Sequence, residues 1–352
     1  MHLLRGDNVK DIKSYFLSEL EEEFKTELNL PKFRAKQVFK WLTAGVSSFD
    51  EMTDLSKELR NKLSNIYYIS VANIEKKLVS VYDETVKYLF RFNDGEFVES
   101  VVMKYHHGYT ICISTQVGCK MGCTFCATGK SGFSRNLQPS EMLSQIQAAQ
   151  NDLCIRISNI VLMGMGEPLD NYSNVIRFLR IVSSEDSLNI GMRHISLSTC
   201  GLVNKIYDLE KEHLPLTLSV SLHAPNNEIR SRTMPVNKRF PIEELLKACR
   251  FYTKSTGRRI SFEYAMIDGV NDSDECAKEL AKRLKGMLCH VNLIPVNNVD
   301  GTGYMKSKIE RQKAFINVLA SHGITATVRR TLGSDINASC GQLRRKNIST
   351  DL

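Results

Sequence analysis

From residue 110 onward the chain alternates between two periodicities. Short apolar, strand-like runs fall at 110–116, 157–164, 194–199, 216–223, 260–266 and 290–296. Stretches with helical spacing separate them, at 139–150, 171–182, 241–253, 272–285 and 308–321. Repeated strand–helix units imply a parallel sheet with right-handed crossovers, because each helix carries the chain back over the sheet to start the next strand. Six units fall short of the eight that close a full barrel. A partial β/α barrel and a doubly wound open sheet both fit, and in either the chemistry belongs at the carboxyl ends of the strands.

The residues before this pattern read differently. Leu17, Leu20, Phe24 and Leu28, then Phe33, Val38, Trp41 and Leu42, then Met52, Leu55, Leu59 and Leu63 define three amphipathic helical faces, the third spanning Asp50 to Leu63. Residues 77–103 change to strand-like runs, with turns expected at 83–85 and at Asn93-Asp94-Gly95. The expected organisation is an N-terminal helical accessory domain (1–75), a β-meander linker (76–104), a core (105–335) and a tail (336–352). No run of 18 apolar residues exists, so no membrane-spanning helix is expected, and the polar-broken start is not expected to act as a signal peptide. Net charge is +8, and its excess falls entirely in residues 96–352, which hold 32 basic and 24 acidic residues against 15 and 15 before them. That excess favours a polyanionic partner such as nucleic acid, although a merely solubilising surface accounts for it equally well. Candidate phosphate contacts are Lys104, Lys120, Lys130, Arg135, Arg329, Arg330, Arg344, Arg345 and Lys346.

The sharpest chemical signal follows the first expected strand: Cys119-Lys-Met-Gly-Cys123-Thr-Phe-Cys126. Three cysteines this close can wrap one metal centre. A closed structural zinc site needs four ligands, and the next cysteine, Cys154, lies beyond a helix. Three thiolates suit a [4Fe–4S] cluster with one iron left open. The other reading is an RNA-binding module with a structural zinc.

The spacing resembles that of the radical S-adenosylmethionine (SAM) superfamily. The run from Gln116 to Leu137 is similar to the dual-specificity rRNA/tRNA adenine carbon-2 methyltransferase family. So are Met163-Gly-Met-Gly-Glu-Pro168, Ser219 to Pro225, Leu293-Ile-Pro-Val-Asn297, Asp335 to Leu343 and the N-terminal segments 33–41 and 46–52. The resemblance runs through nearly the whole chain, in order. It implies a partial (β/α)6 radical SAM barrel. It also implies that Cys119, Cys123 and Cys126 ligate a [4Fe–4S] cluster, and that Gly166, Glu167, Ser198, Ser221, Leu222, His223 and Asn297, at the strand ends, bind SAM.

The same resemblance implies a mechanism that uses two SAM per turnover. Cys340 is methylated to S-methylcysteine by one. The second gives a 5′-deoxyadenosyl radical that takes a hydrogen atom from that methyl, and the resulting methylene radical adds to carbon 2 of adenine. Glu99 accepts the carbon-2 proton, and Cys112 attacks the Cys340 sulfur to release the product through a transient disulfide. From the residues alone, Glu99 reads as an exposed strand glutamate facing a lysine such as Lys104. Implied partners are 23S rRNA, a subset of tRNAs and an electron donor such as flavodoxin or ferredoxin, in a cytoplasmic monomer. The related carbon-8 methyltransferases of the antibiotic-resistance type are the alternative.

Overall fold

A computed structural model describes residues 9–297 and 302–343. Its centre is one ten-stranded sheet, whose strands are numbered here in chain order: β1 (Asn73–Val79), β2 (Val86–Arg91), β3 (Phe97–Tyr105), β4 (Gly108–Cys112), β5 (Ile157–Leu162), β6 (Ile195–Thr199), β7 (Thr217–Ser221), β8 (Ile260–Met266), β9 (Cys289–Pro295) and β10 (Ala326–Val328). Strands β4 to β10 are parallel and ordered as in the sequence, while β1 to β4 pair antiparallel. The alternating fold expected from residue 110 is therefore present, with a seventh parallel strand that the sequence pattern did not mark. At three residues, with Thr327 and Val328 exposed, β10 is too short for its periodicity to register.

The meander differs from its expectation in one respect. It begins at Asn73 instead of the upper seventies and hydrogen-bonds directly to the barrel strands through β3 and β4, so it extends their sheet. The stretch Asn-Ile-Glu-Lys-Lys was missed because β1 is an edge strand exposed along nearly its whole length, where lysines discourage further strand pairing. The Asp94-Gly95 turn forms as expected, with Gly95 at φ +84°. Three helices also escaped the pattern, the single turn Ala127–Lys130, Val203–Lys211 and Asn227–Thr233.

The strand foreseen over 110–116 stops at Cys112. Residues Gln116–Gly118 instead pair with Phe133–Asn136 as a small antiparallel ribbon. Gly118, at φ +77°, makes this possible: a Cβ there would lie 1.9 Å from the Gly132 carbonyl oxygen. The ribbon closes the base of the loop that carries the three clustered cysteines.

Residues 12–69 have their own apolar core, which includes Leu20, Phe24, Val38, Leu42, Met52 and Leu63. The third helix starts at Lys57, not Asp50. Ser48 and Ser56 each begin a separate segment: a single turn at Phe49–Glu51, then Lys57–Ile66 with Ser56 Oγ accepting from Leu59 N–H at 3.2 Å. This module docks on the helices Pro139–Leu153 and Tyr172–Ser183 through polar contacts. Gln147 donates to the Leu42 carbonyl at the end of helix Lys32–Ala44 at 2.7 Å, and Arg177 pairs with Glu19. Buried Lys13 donates to the Ser70 carbonyl at 3.0 Å and to Ser144 Oγ at 2.8 Å. Among the described residues no helix is long and apolar enough to cross a membrane. Replacing Lys13 with methionine removes two donors from buried acceptors, and should lower unfolding stability by about 1–3 kcal/mol in urea titrations; an unchanged midpoint would remove Lys13 from the docking contact.

Candidate active site

The carboxyl ends of the parallel strands open onto a cavity with about 960 Å³ of empty space, mouth included. Cys119, Cys123 and Cys126 line one side of it. Cys119 N–H is held by the Gly132 carbonyl at 2.8 Å, Thr124 N–H by the Thr233 carbonyl at 3.0 Å, and Cys126 opens the single helical turn Ala127–Lys130. Burial pushes the Cys119 thiol up to about 12 and Cys123 higher still, with neighbouring sulfurs and Glu167 adding to the rise. As thiolates, Cys119 and Cys123 therefore require a cationic centre to stabilise them, and a thiolate-ligated iron centre supplies one. Among the described residues no three Cys, His, Asp or Glu side chains converge as tightly as a single bound ion demands. Three clustered cysteines fit a [4Fe–4S] cluster with one iron left open better than a closed zinc site, which needs four ligands.

The strand ends supply the rest of the wall. Gly164 and Gly166 let the backbone after β5 fold against the chain after β4; a Cβ on Gly166, at φ +102°, would lie 2.6 Å from Gln116 Cβ. Glu167 is buried, accepts from Cys200 N–H at 2.6 Å and Leu169 N–H at 3.0 Å, and has its carboxyl pushed up by burial. Ser198 and Ser221, at the ends of β6 and β7, face the cavity. His223 also faces it, in a left-handed backbone conformation (φ +55°). Its Nδ1 accepts the Ala265 N–H at 2.8 Å, which fixes the neutral Nε2–H tautomer, and burial, with Arg230 nearby, pushes it down to about 3. Leu222 is the exception among the expected SAM contacts: its side chain is fully buried in the core, and only its backbone reaches this region.

Arg230, which sequence reasoning passed over, organises this wall. Its guanidinium is fully buried and donates to the carbonyls of Cys200 (2.6 Å), Ser221 (3.3 Å) and Leu222 (3.2 Å) and to Asn237. Its place on the short unpatterned helix Asn227–Thr233 left no signal. Glu263, on β8, is a second omission. It lines the cavity, accepts from Asn292 at 2.7 Å and lies 4.0 Å from Arg329.

The chain's last described segment closes the opposite side. Asn297 Nδ2 donates to the Cys340 carbonyl at 3.0 Å, and Ala127 N–H to the Gly341 carbonyl at 2.8 Å, so Cys340 lines the same cavity as the three clustered cysteines. Asn297, expected as a SAM contact, thus also fixes the tail. Cys112 ends β4, buried, and is a free thiol, as is Cys340. Burial first, and the neighbouring Cys340 sulfur second, push the Cys112 thiol up to about 12; Arg329 acts in the opposite direction.

Glu99 is not the exposed residue that its sequence context indicated. It is buried on β3, and Oε1 pairs with buried Lys87 Nζ at 2.9 Å. Lys104 pairs elsewhere, with Glu84 on the surface. Lys87 also donates to the Asn337 carbonyl at 3.0 Å, which ties the Glu99 pair to the segment carrying Cys340. Of the candidate phosphate contacts, Lys120 and Arg135 are engaged by Asp170 and by Asp94 and Glu141, whereas Arg330 is exposed at the mouth. Arg344, Arg345 and Lys346 lie outside the described residues.

Comparison with known proteins gives a consistent picture. A radical SAM superfamily model matches residues 113–281, and a model of the ribosomal RNA large subunit methyltransferase N-terminal domain matches residues 10–69. A probable dual-specificity RNA methyltransferase RlmN of Alkaliphilus oremlandii is 57% identical over 96% of this chain and 98% of its own length. One of Clostridium novyi, with the same description, is 52% identical over 97% and 99%. The crystal structure of a radical SAM methyltransferase from Sphaerobacter thermophilus superimposes with a TM-score of 0.91 at 44% identity, covering 95% of this chain and 99% of that one.

The buried ion pair yields a stability test. Lys87→Met leaves Glu99 without its buried cation and should cost about 3–5 kcal/mol. Adding Glu99→Gln should recover much of that loss in chemical denaturation; a double variant no more stable than Lys87→Met would show that the two side chains are not coupled.

Proposed function

Because this chain belongs to the RlmN family of dual-specificity RNA methyltransferases, within the radical SAM superfamily, we propose that it methylates carbon 2 of an adenosine in 23S rRNA and in a subset of tRNAs. It is a SAM-dependent radical RNA methyltransferase whose cofactors are a [4Fe–4S] cluster and SAM. Full-length similarity to the RlmN relatives carries the carbon-2 reading, and the position of Cys340 on the rim of the cavity that also holds Cys119, Cys123 and Cys126, with Cys112 beside it, supports a cysteine-borne methyl route.

Carbon 2 of adenine is electrophilic, so a polar methyl transfer to it is closed and a carbon radical is required. Cys119, Cys123 and Cys126 would hold the cluster; Gly166, Glu167, Ser198, Ser221, His223 and Asn297 would surround SAM. When bound, these groups supply the 5′-deoxyadenosyl radical that takes a hydrogen atom from a methyl group. The chain's own residues account for the other steps. Cys340 carries the methyl group on its sulfur and presents it to the adenine. The odd-electron adduct must give up one electron, which a cluster held by Cys119, Cys123 and Cys126 would accept; Glu99 takes the carbon-2 proton as a general base, and Lys87 holds its carboxylate in place. Cys112, as a thiolate, then attacks the Cys340 sulfur. A sulfur–sulfur bond forms, the carbon–sulfur bond breaks, and the new methyl carbon leaves with the electron pair and takes up a proton. Arg329, which lines the cavity with Cys340 and opposes the rise of the Cys112 thiol, favours that thiolate.

The resulting disulfide needs reduction between turnovers, which fits a cytoplasmic enzyme. Flavodoxin or ferredoxin fits the need for a one-electron donor. We assign residues 1–75 as an accessory domain, 76–104 as the meander, 105–335 as the catalytic core and 336–352 as the tail, in a monomer.

The test is covalent trapping. Cys112→Ala, incubated anaerobically with SAM, reductant and unmodified RNA, should accumulate RNA joined to Cys340 through a single carbon, identified by mass spectrometry of the digested adduct. Free protein with fully methylated RNA would overturn the role of Cys112, and wild-type product methylated at carbon 8 alone would overturn the assigned position.

A further inference from the structure

Beside the mouth of the cavity runs a groove lined by Tyr82, Lys104, Tyr105, His106, Arg330 and Leu332. Three of these, Tyr105, Arg330 and Leu332, also line the adjoining space that holds Cys340 and Arg329, so groove and active site are continuous. The groove's most conspicuous feature is the hairpin tip between β1 and β2. Val81 and Tyr82 there are 82% and 76% exposed. An exposed apolar tip would ordinarily be mobile, yet this one is tied down. Ser80 N–H donates to the Thr85 carbonyl at 2.8 Å, and Tyr82 N–H donates to Ser80 Oγ at 3.1 Å. Asp335 accepts from Ser80 Oγ at 2.7 Å and from Val81 N–H at 3.0 Å, and Asp83 accepts from Gly333 N–H at 2.9 Å. The tip is thereby fixed to the segment that leads into Cys340.

On the neighbouring tip, after β3, Tyr105 stacks on His107 with ring centroids 5.2 Å apart and planes 10° apart, and His106 meets His107 edge-on at 4.9 Å. The groove is thus walled by aromatic rings on two loops, one of them anchored to the segment before Cys340. Its charges are mostly spent internally: Lys104 pairs with Glu84, while Asp83 and Asp335 are held by backbone N–H groups. Arg330 is exposed within it.

We propose that this groove receives the unpaired nucleotide next to the target adenosine, with its base stacked on Tyr82. The proposal rests on the RNA methyltransferase reading above. Drawing an adenine into a buried cavity requires it to leave its stack, which strips the flanking base of a stacking partner. An aromatic ring carried on an anchored turn beside the cavity mouth replaces that partner, and it does so for any base, because every base has a π face. Such a platform suits an enzyme that must accept both rRNA and tRNA loops, since stacking is tolerant of sequence. With few unspent charges in the groove, affinity there comes from stacking more than from phosphate contacts.

The experiment uses the full chain with its cluster reconstituted anaerobically, and an unmodified tRNA transcript and 23S rRNA fragment as probes. Tyr82→Ala should raise Kd and KM for both RNAs about fivefold or more, with iron content and SAM affinity equal to wild type. Tyr82→Trp should restore binding to within about twofold. Neither should alter the slope of log Kd against log salt, whereas Arg330→Gln should reduce it by roughly 0.7. Wild-type affinity in Tyr82→Ala would overturn the platform, as would a Tyr82→Trp variant as weak as the alanine one. Slowed cluster reduction by flavodoxin with unchanged RNA affinity would also overturn it, assigning the face to a protein partner. Wild-type enzyme that methylates neither RNA would instead overturn the functional reading and the platform with it.

Discussion

The arrangement of the site depends on how the segment 333–343 is fastened across the barrel mouth. Its backbone carbonyls at Asn337, Cys340, Gly341 and Leu343 are taken by Lys87, Asn297, Ala127 N–H and Thr128, which come from the meander, the end of β9 and the cysteine loop. Asp335 adds two contacts to the β1–β2 tip. Three left-handed positions, Gly333, Asn337 and Gly341, let so short a segment turn toward each partner. Each of these acceptors left unmade would cost on the order of 1–3 kcal/mol where buried. The fastening explains why residues more than two hundred positions apart, Cys112 and Cys340, become neighbours, and why the meander belongs to the catalytic sheet.

A second constraint is charge. The cavity wall buries Arg230, Glu167 and Glu263, and the Lys87–Glu99 pair lies in the sheet beside it. Such groups are tolerable only when held by several partners, and they are: Arg230 by three carbonyls and Asn237, Glu167 by two N–H groups, Lys87 by Glu99 and a carbonyl. The same fixation keeps polar atoms aimed before any ligand arrives, and this preorganisation is what electrostatic stabilisation of a reacting group requires. His223 contributes as a neutral donor across the physiological range, because its Nδ1 is committed to the Ala265 N–H.

Much of this was legible in the sequence, for identifiable reasons. The buried parallel strands are dense apolar runs, so they and the long helices between them were visible, and the three clustered cysteines stood out by spacing alone. The misses have more than one cause. Glu99 faces Lys87 because β2 and β3 pair Leu89 with Glu99, which puts Lys87 two residues along on the same face; the nearer Lys104 is bound by Glu84. Arg230 sits on a short helix with no amphipathic signature, and β1 and β10 are an exposed and a very short edge. The roles of Cys112 and Cys340 came from family resemblance, since neither has a local motif that spells its chemistry; their proximity is a product of the tail's fastening.

The central claim is that the transferred carbon passes through Cys340. The most direct measurement follows deuterated methyl-labelled SAM into peptides and RNA during a first turnover of the wild-type enzyme. The account predicts label on the Cys340 sulfur before any appears in RNA, and a product methyl that has lost one deuteron. Product retaining all three deuterons, with no label ever found on Cys340, would contradict it.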